Sequence, residues 1–188
     1  MDFSRFQPLF DIIEKRIANR GRTVLAIDGA AASGKTTLAE FLAKKYGAEV
    51  VHMDDFFLPR ERKTADRLAE ADGNIDRERF SAEVLPYVNS LAPFSYGKYD
   101  CSFGKVTKSV NIGSPQLVIV EGVYSLSPCF RSCYDIKIML TVERETQLAR
   151  LRERSEAWQY ENFLKIWLPL EARYFSLCET ESACDMVF

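Results

Sequence analysis

Residues 29 to 36, Gly-Ala-Ala-Ala-Ser-Gly-Lys-Thr, match G-x-x-x-x-G-K-[ST] in full. Gly29 and Gly34 permit backbone angles that turn successive N–H groups inward, making an anion nest at the positive end of a following helix. Lys35 reaches outer phosphates, and the Thr36 hydroxyl can ligate magnesium. Ala30, Ala31, Ala32, Ser33 and Thr37 belong to the same cradle. The expected ligand is a nucleoside triphosphate with Mg2+, taken as ATP, although no residue of the motif separates ATP from GTP.

A triphosphate site serves motors, switches and small-molecule kinases alike, so acids elsewhere must discriminate. The N-K-x-D and D-x-x-G segments of switch GTPases do not occur. In "HMDDFFLP", 52 to 59, a carboxylate at the end of a strand could accept the proton of an attacking hydroxyl. Asp54 is the candidate, because it comes first after the strand while Asp55 can turn outward; the plain alternative is that both acids cap the next helix. In "LVIVEGVYSL", 117 to 126, Glu121 follows a fully apolar strand, where a charge is costly unless it faces a cation or a donor. Supporting magnesium through water is one use, and a buried structural ion pair is the other.

The elements that must position these groups follow from periodicity. Residues 3 to 19 place Phe6, Leu9, Phe10, Ile13 and Ile17 on one helical face, with a stop at Asn19 to Arg22. A strand at 23 to 28, the glycine loop and an amphipathic helix at 35 to 47 come next. Further apolar runs at 48 to 53, 116 to 122, 134 to 142 and 183 to 188 alternate with helical patterns at 143 to 155 and 160 to 178. This predicts an α/β fold of three layers, with a mainly parallel five-stranded sheet covered on both faces. Residues 54 to 116 are polar, turn-rich and too long for a connection, which predicts an inserted acceptor-binding region, with helices at 60 to 72 and 77 to 91. The chain reads as one domain, 1 to 188, with an N-terminal helix at 1 to 22 and a lid region at 143 to 160.

Composition narrows the partners. The 188 residues carry a formal net charge of -2, with 25 basic residues spread along the chain, so no nucleic-acid face is implied. The N-terminus alternates apolar and charged residues, without the apolar core of a signal peptide or a membrane span. A soluble cytoplasmic protein is expected. Cys101, Cys129, Cys133, Cys178 and Cys184 are odd in number and lack a C-x-x-C pair, which favours reduced thiols over zinc or disulfides. Self-association is left open, since no apolar surface is legible.

The ordered blocks "DGAAASGKTT", "HMDDFFLP", "GNIDRERF", "YDCSFGK", "VIVEGVYSL", "RETQLARLRER" and "LPLEARYF…ACDMVF" resemble the uridine kinase and phosphoribulokinase family of P-loop kinases, from about Thr23 to Phe188. The resemblance implies a P-loop NTPase fold with the P-loop strand central. It also implies that Asp54 contacts the acceptor hydroxyl as base, that Asp76 holds ribose hydroxyls, that Tyr99 lines the acceptor site and that Glu121 is the acid after the Walker B strand. Asp76 could instead cap a helix, and Tyr99 could simply pack. Arg150 and Arg154 fall where the family's lid brings arginines over the phosphates and share a helical face, with a solvated charged face beside Glu145, Glu153 and Glu156 as the rival reading.

Two departures stand out. Uridine kinases carry a histidine after the Tyr-Asp pair, where this chain has Phe103, and the segment between Arg154 and Pro169 is shorter than the usual lid. The expected activity is transfer of the γ-phosphate of ATP to a hydroxyl of a nucleoside such as uridine or cytidine. A sugar phosphate or pantothenate-like alcohol is the alternative acceptor, for which Arg60, Arg62, Lys63, Arg67, Arg77, Arg79 and Lys98 offer cations. A non-catalytic nucleotide-binding regulator is the reading from another class.

Overall fold

Apolar strand runs and amphipathic helices alternate along the chain as their periodicity requires, and the computed structural model describes residues 2–19 and 21–188. A 3-10 turn at Ser4–Phe6 leads into α1 (Gln7–Asn19), whose Leu9, Phe10 and Ile13 are buried. The stop read at Asn19 to Arg22 includes Arg20, which lies outside the described residues. There follow β1 (Thr23–Gly29), α2 (Lys35–Tyr46) and β2 (Glu49–His52). Short helices α3 (Ala65–Ala69) and α4 (Arg77–Glu83) precede an antiparallel hairpin, β3 (Phe94–Asp100) and β4 (Lys105–Ile112). The chain then forms β5 (Leu117–Glu121), β6 (Ile136–Leu140) and α5 (Arg144–Arg154). It ends with α6 (Ala157–Asn162), a π-helical turn at Phe163–Trp167, α7 (Leu168–Leu177) and β7 (Met186–Val187).

The main sheet has the order β2-β5-β1-β6-β7, with parallel pairing throughout, so the strand carrying the glycine loop is central. Every residue of β1 is buried, because both sheet faces are covered. On one face, Leu25, Ile27, Ile119 and Ile138 pack with α1 and with Leu38 and Leu42 of α2. On the other, Val24, Ala26, Val118 and Val120 pack with Phe56, Phe80 and Phe130, and with Tyr174 of α7.

The inserted region departs from expectation. The helix predicted over 60 to 72 is a 3-10 turn at Arg60–Arg62 followed by the short α3, and its arginines bond sideways instead of solvating a helix face. Arg67 donates to the carbonyls of Gly73 and Ile75. The helix predicted over 77 to 91 ends at Glu83, because Pro86 disfavours helical backbone at Leu85 and removes a donor. The hairpin was not anticipated. Its signal was a period of two in "FSYGKY", which buries Phe94 and Tyr96 and exposes Ser95.

Asp28 connects the two faces of the sheet to the glycine loop. Its carboxylate is fully buried and accepts from Gly29 N–H at 2.7 Å, Leu126 N–H at 2.8 Å and Tyr174 OH at 2.7 Å. Burial raises its carboxyl to about 6, and the hydrogen bonds of Leu126, Tyr174 and Gly29 oppose that rise. The folded value lies above the ordinary 3.8, so the native state holds the proton more tightly, and the contribution of Asp28 to stability falls as pH rises through that window. Tyr174→Phe should therefore cost about 1.5–3 kcal/mol near neutral pH, where the bond is to a carboxylate, and less below pH ~4.5, where it is to a neutral acid. Urea unfolding at the two pH values measures this, and equal losses at both would contradict it.

Candidate active site

The loop between β1 and α2 has the backbone its sequence demands. Gly29 has φ 137, and a Cβ there would lie 2.1 Å from the Leu140 carbonyl oxygen, so only glycine fits. Gly34 adopts φ 102 as the residue before α2, which aims the positive end of that helix into the loop. Lys35 is buried and curls back, its Nζ donating to the carbonyls of Gly29 at 2.8 Å and Ala30 at 3.0 Å. The loop is also braced from outside. Ala31 N–H donates to Glu171 Oε2 at 2.9 Å, Gln147 Nε2 donates to the Ala31 carbonyl at 3.0 Å, and Arg150 NH1 donates to the Ala32 carbonyl at 2.9 Å. Ala31 thus serves as an anchor between α5 and α7.

At the carboxyl ends of β2 and β5 the acids gather. Glu121 is buried and lies 3.3 Å from the Thr36 hydroxyl and 2.6 Å from His52 Nδ1. Its hydrogen bond with His52 raises the imidazole above its ordinary value, against the opposing effect of burial. The ion-pair reading of Glu121 thus has its partner in His52, and the same carboxylate reaches the Thr36 hydroxyl. This donor set fits magnesium arriving with phosphates, since a hydroxyl and a nearby carboxylate can complete an octahedron of phosphate oxygens and waters. Among the described residues, no cluster of three or more His, Cys, Asp or Glu side chains forms a metal cage of its own.

Asp54 and Asp55 exchange the places expected of them. Asp54 is the solvent-exposed one, on a 3-10 turn at Met53–Phe56, where its charged neighbours include Glu121, Lys35 and His52. Crowding by the surrounding protein, then the negative charge of Glu121, raises its carboxyl above the ordinary range. Asp55 does not turn outward. It is buried and accepts from Tyr96 OH at 3.1 Å and pairs with Lys98 at 3.1 Å, while Arg79 bonds its carbonyl, because the unanticipated hairpin covers that side.

The remaining candidates spread over the insertion and lid. Asp76 is buried, caps α4 by accepting from Arg79 N–H at 3.1 Å, and pairs with Arg62 at 2.7 Å, so the capping alternative is realised and a ribose would share this carboxylate with Arg62. Tyr99 is buried on β3, and burial raises its phenol above the ordinary value while the charge of Arg60 opposes the rise. Phe103 stands exposed at the hairpin tip. Arg150 reaches the phosphate loop, whereas Arg154 stands 5.8 Å over the Phe163 ring, so the two arginines of one helical face have different partners. Glu171, Gln147 and His52 were missed as site residues. Glu171 lies inside the quoted "LPLEARYF", but nothing local marks it as a partner of a loop 140 positions away.

The strand order, the braced glycine loop, and Lys35 and Thr36 opening α2 define a P-loop kinase fold. No family model matches the chain. A structure titled a possible uridine kinase from Bacillus stearothermophilus superposes with TM-score 0.69 at 22% identity, covering 97% of this chain and 100% of that one. A "putative fructose transport system kinase" from a Silicibacter species gives TM-score 0.69 at 23% identity, covering 100% and 99%. Phosphoribulokinase from Rhodobacter spheroides gives 0.61 at 15%, covering 89% and 70%. The resemblance in the order of the motifs thus extends to the fold of the uridine kinase and phosphoribulokinase type.

His52 is the chain's one histidine, so proton NMR follows it without assignment ambiguity. In metal-free buffer its titration midpoint should lie above the ordinary 6.5, and Glu121→Gln should bring it down. Because the folded value is the higher one, the pair's contribution to stability is complete below about pH 6.5 and is lost as pH rises through the folded value. A midpoint unmoved by Glu121→Gln would break the assignment.

Proposed function

We propose that this protein is an ATP- and magnesium-dependent kinase that transfers the γ-phosphoryl group to a hydroxyl of a small acceptor, a nucleoside of the uridine or cytidine kind. The observation that carries this reading is the convergence of Lys35, the Thr36–Glu121 pair and Asp54 at one end of the central strands. Bound ATP with magnesium supplies the transferable group and neutralises much of its charge. The backbone nest and Lys35 hold the phosphates, and Thr36 with Glu121 supports the metal. Asp54 orients the acceptor hydroxyl and takes its proton as the new P–O bond forms and the bond to ADP breaks. Arg150, poised on the loop, contributes positive charge, and Arg154 joins it if it leaves Phe163. Among the described residues no helix is long and apolar enough to cross a membrane, and the cytoplasmic location expected from sequence is part of this proposal.

A specific observation also favours the anionic acceptor. Of the seven insertion cations, Arg62, Arg67, Arg77, Arg79 and Lys98 are paired with carboxylates. Among the described residues, Arg60 and Lys63 have no carboxylate partner, and both charges act on Cys101, close to Tyr99 and Asp54. Lys63 donates to Asn74 Oδ1 at 3.0 Å, and burial lowers its ammonium below the usual lysine value, a cost that an anionic acceptor would relieve.

ADP release measured with uridine, cytidine, ribulose 5-phosphate and pantothenate as acceptors discriminates the readings. Strong stimulation by a nucleoside supports the first, stimulation by the phosphorylated or carboxylated alcohol alone supports the second, and silence across the panel removes both. Asp54→Asn should lower kcat by roughly 10²–10⁴-fold while leaving ATP affinity within about threefold. The acid limb of kcat/KM should lie above the ordinary aspartate range, since activity appears as Asp54 ionises.

A further inference from the structure

Asp54 takes its aim from its backbone. Among the described residues none hydrogen-bonds its carboxylate, which stands exposed among the charges of Glu121, Lys35 and His52. An aspartate has only two side-chain torsions, so the carboxylate goes where the 3-10 turn at Met53–Phe56 puts it. That turn is fastened on three sides. Its upstream end is β2, where His52 pairs in register with Glu121 of β5. Downstream, the Phe56 carbonyl accepts from Asp76 N–H at 2.7 Å, and Phe57 forms a bridge with Ile75. The third side is the β3–β4 hairpin, and side chains make that connection.

The buried Asp55 directs its carboxylate to the hairpin, accepting from Tyr96 OH at 3.1 Å and pairing with Lys98 Nζ at 3.1 Å. Arg79 of α4 crosses the same gap. Its guanidinium donates to the Asp55 carbonyl with one nitrogen and to the Gly97 carbonyl of β3 with another, and it lies 4.4 Å over the Phe56 ring. The Phe56 ring in turn lies 5.0 Å from that of Phe80 and 5.1 Å from that of Tyr96. The Arg79 N–H donates to Asp76 Oδ1 at 3.1 Å. One arginine therefore contacts the turn that carries Asp54, the hairpin, and the second acidic candidate for the acceptor.

These bonds are directional, so they fix the orientation of the turn as well as its depth, which apolar packing alone does not. One residue past Lys98 the same strand presents Tyr99, the candidate for the acceptor wall, and the ladder shifts register between the two. We infer that Asp55, Tyr96 and Arg79 are positioning residues: they hold the turn in the orientation that aims Asp54 at the acceptor hydroxyl, and they tie that orientation to the hairpin that carries Tyr99. The inference rests on the kinase reading for the role of Asp54 as base. One carboxylate of the adjacent pair then reacts, and the other sets where the first one points. A misplacement of about 1 Å in a reacting group costs on the order of 10²-fold in rate, so the orientation of this turn is worth as much as many direct contacts.

Steady-state ADP release by the full chain, with whichever of uridine, cytidine, ribulose 5-phosphate or pantothenate stimulates it, tests this beside calorimetric ATP binding. Tyr96→Phe removes one hydroxyl, and Arg79→Lys keeps the charge but lacks the planar fork that spans two carbonyls. Each should lower kcat about 10–100-fold and leave ATP affinity within about threefold. In an Asp54→Asn background the same substitutions should cost less than about threefold more, because no base is left to aim. Equal fold losses in both backgrounds show a structural role alone, and an unchanged kcat shows no role; either result overturns the assignment. Where a buried variant does not fold, Lys98→Met, at the half-exposed partner of Asp55, carries the same cycle with a loss of about 3–10-fold expected. ADP release that no acceptor of the panel stimulates removes the kinase reading, and the positioning role with it. Failure of the positioning role alone leaves acceptor-stimulated release that still depends on Asp54.

Discussion

Three donors from distant parts of the chain converge on the Asp28 carboxylate at the buried end of the central strand: the first amide of the glycine loop, the Leu126 amide after β5, and the Tyr174 hydroxyl of α7. A buried carboxylate without such partners would be prohibitively costly, so the strand, the loop and the C-terminal helix are constrained to meet there. The same helix supplies Glu171 to the Ala31 amide, and α5 supplies Gln147 and Arg150 to the next two carbonyls. The phosphate loop is therefore held by the helices that follow the last central strands as much as by its own turn. Motion of α5 or α7 would reach it directly.

The charge distribution follows a division of labour. In the insertion, most arginines are spent on neighbouring carboxylates and backbone carbonyls, where they shape a segment too polar to pack by apolar burial alone. Around the loop the balance is acidic: Asp28, Asp54, Glu121 and Glu171 lie near one lysine and one histidine. Burial raises two of these acids, Asp28 and Glu171, and crowding by the surrounding protein with the charge of Glu121 raises the exposed Asp54.

The two adjacent aspartates show how far local sequence reaches. Position after a strand identified the pair as candidates, and Asp54 does lie among Lys35, His52 and Glu121. Which of the two turns inward depends on Tyr96 and Lys98, more than 40 residues away on the β3–β4 hairpin. The same applies to Asp76, whose helix-capping role was legible as an alternative from "DRERF", while its pairing with Arg62 was not.

By itself the sequence determined the glycine loop, the five strands and their parallel layering, because these rest on spacing and apolar periodicity, which are local properties of the chain. Its motif order also determined the resemblance to a kinase fold. Only the tertiary structure decided which side chains brace the loop, which aspartate is exposed, and that Arg150 and Arg154 part company. Apart from Arg154 on Phe163, those outcomes are contacts between residues tens to more than a hundred positions apart, selected by packing and by the need to satisfy buried polar groups, and no local pattern encodes them.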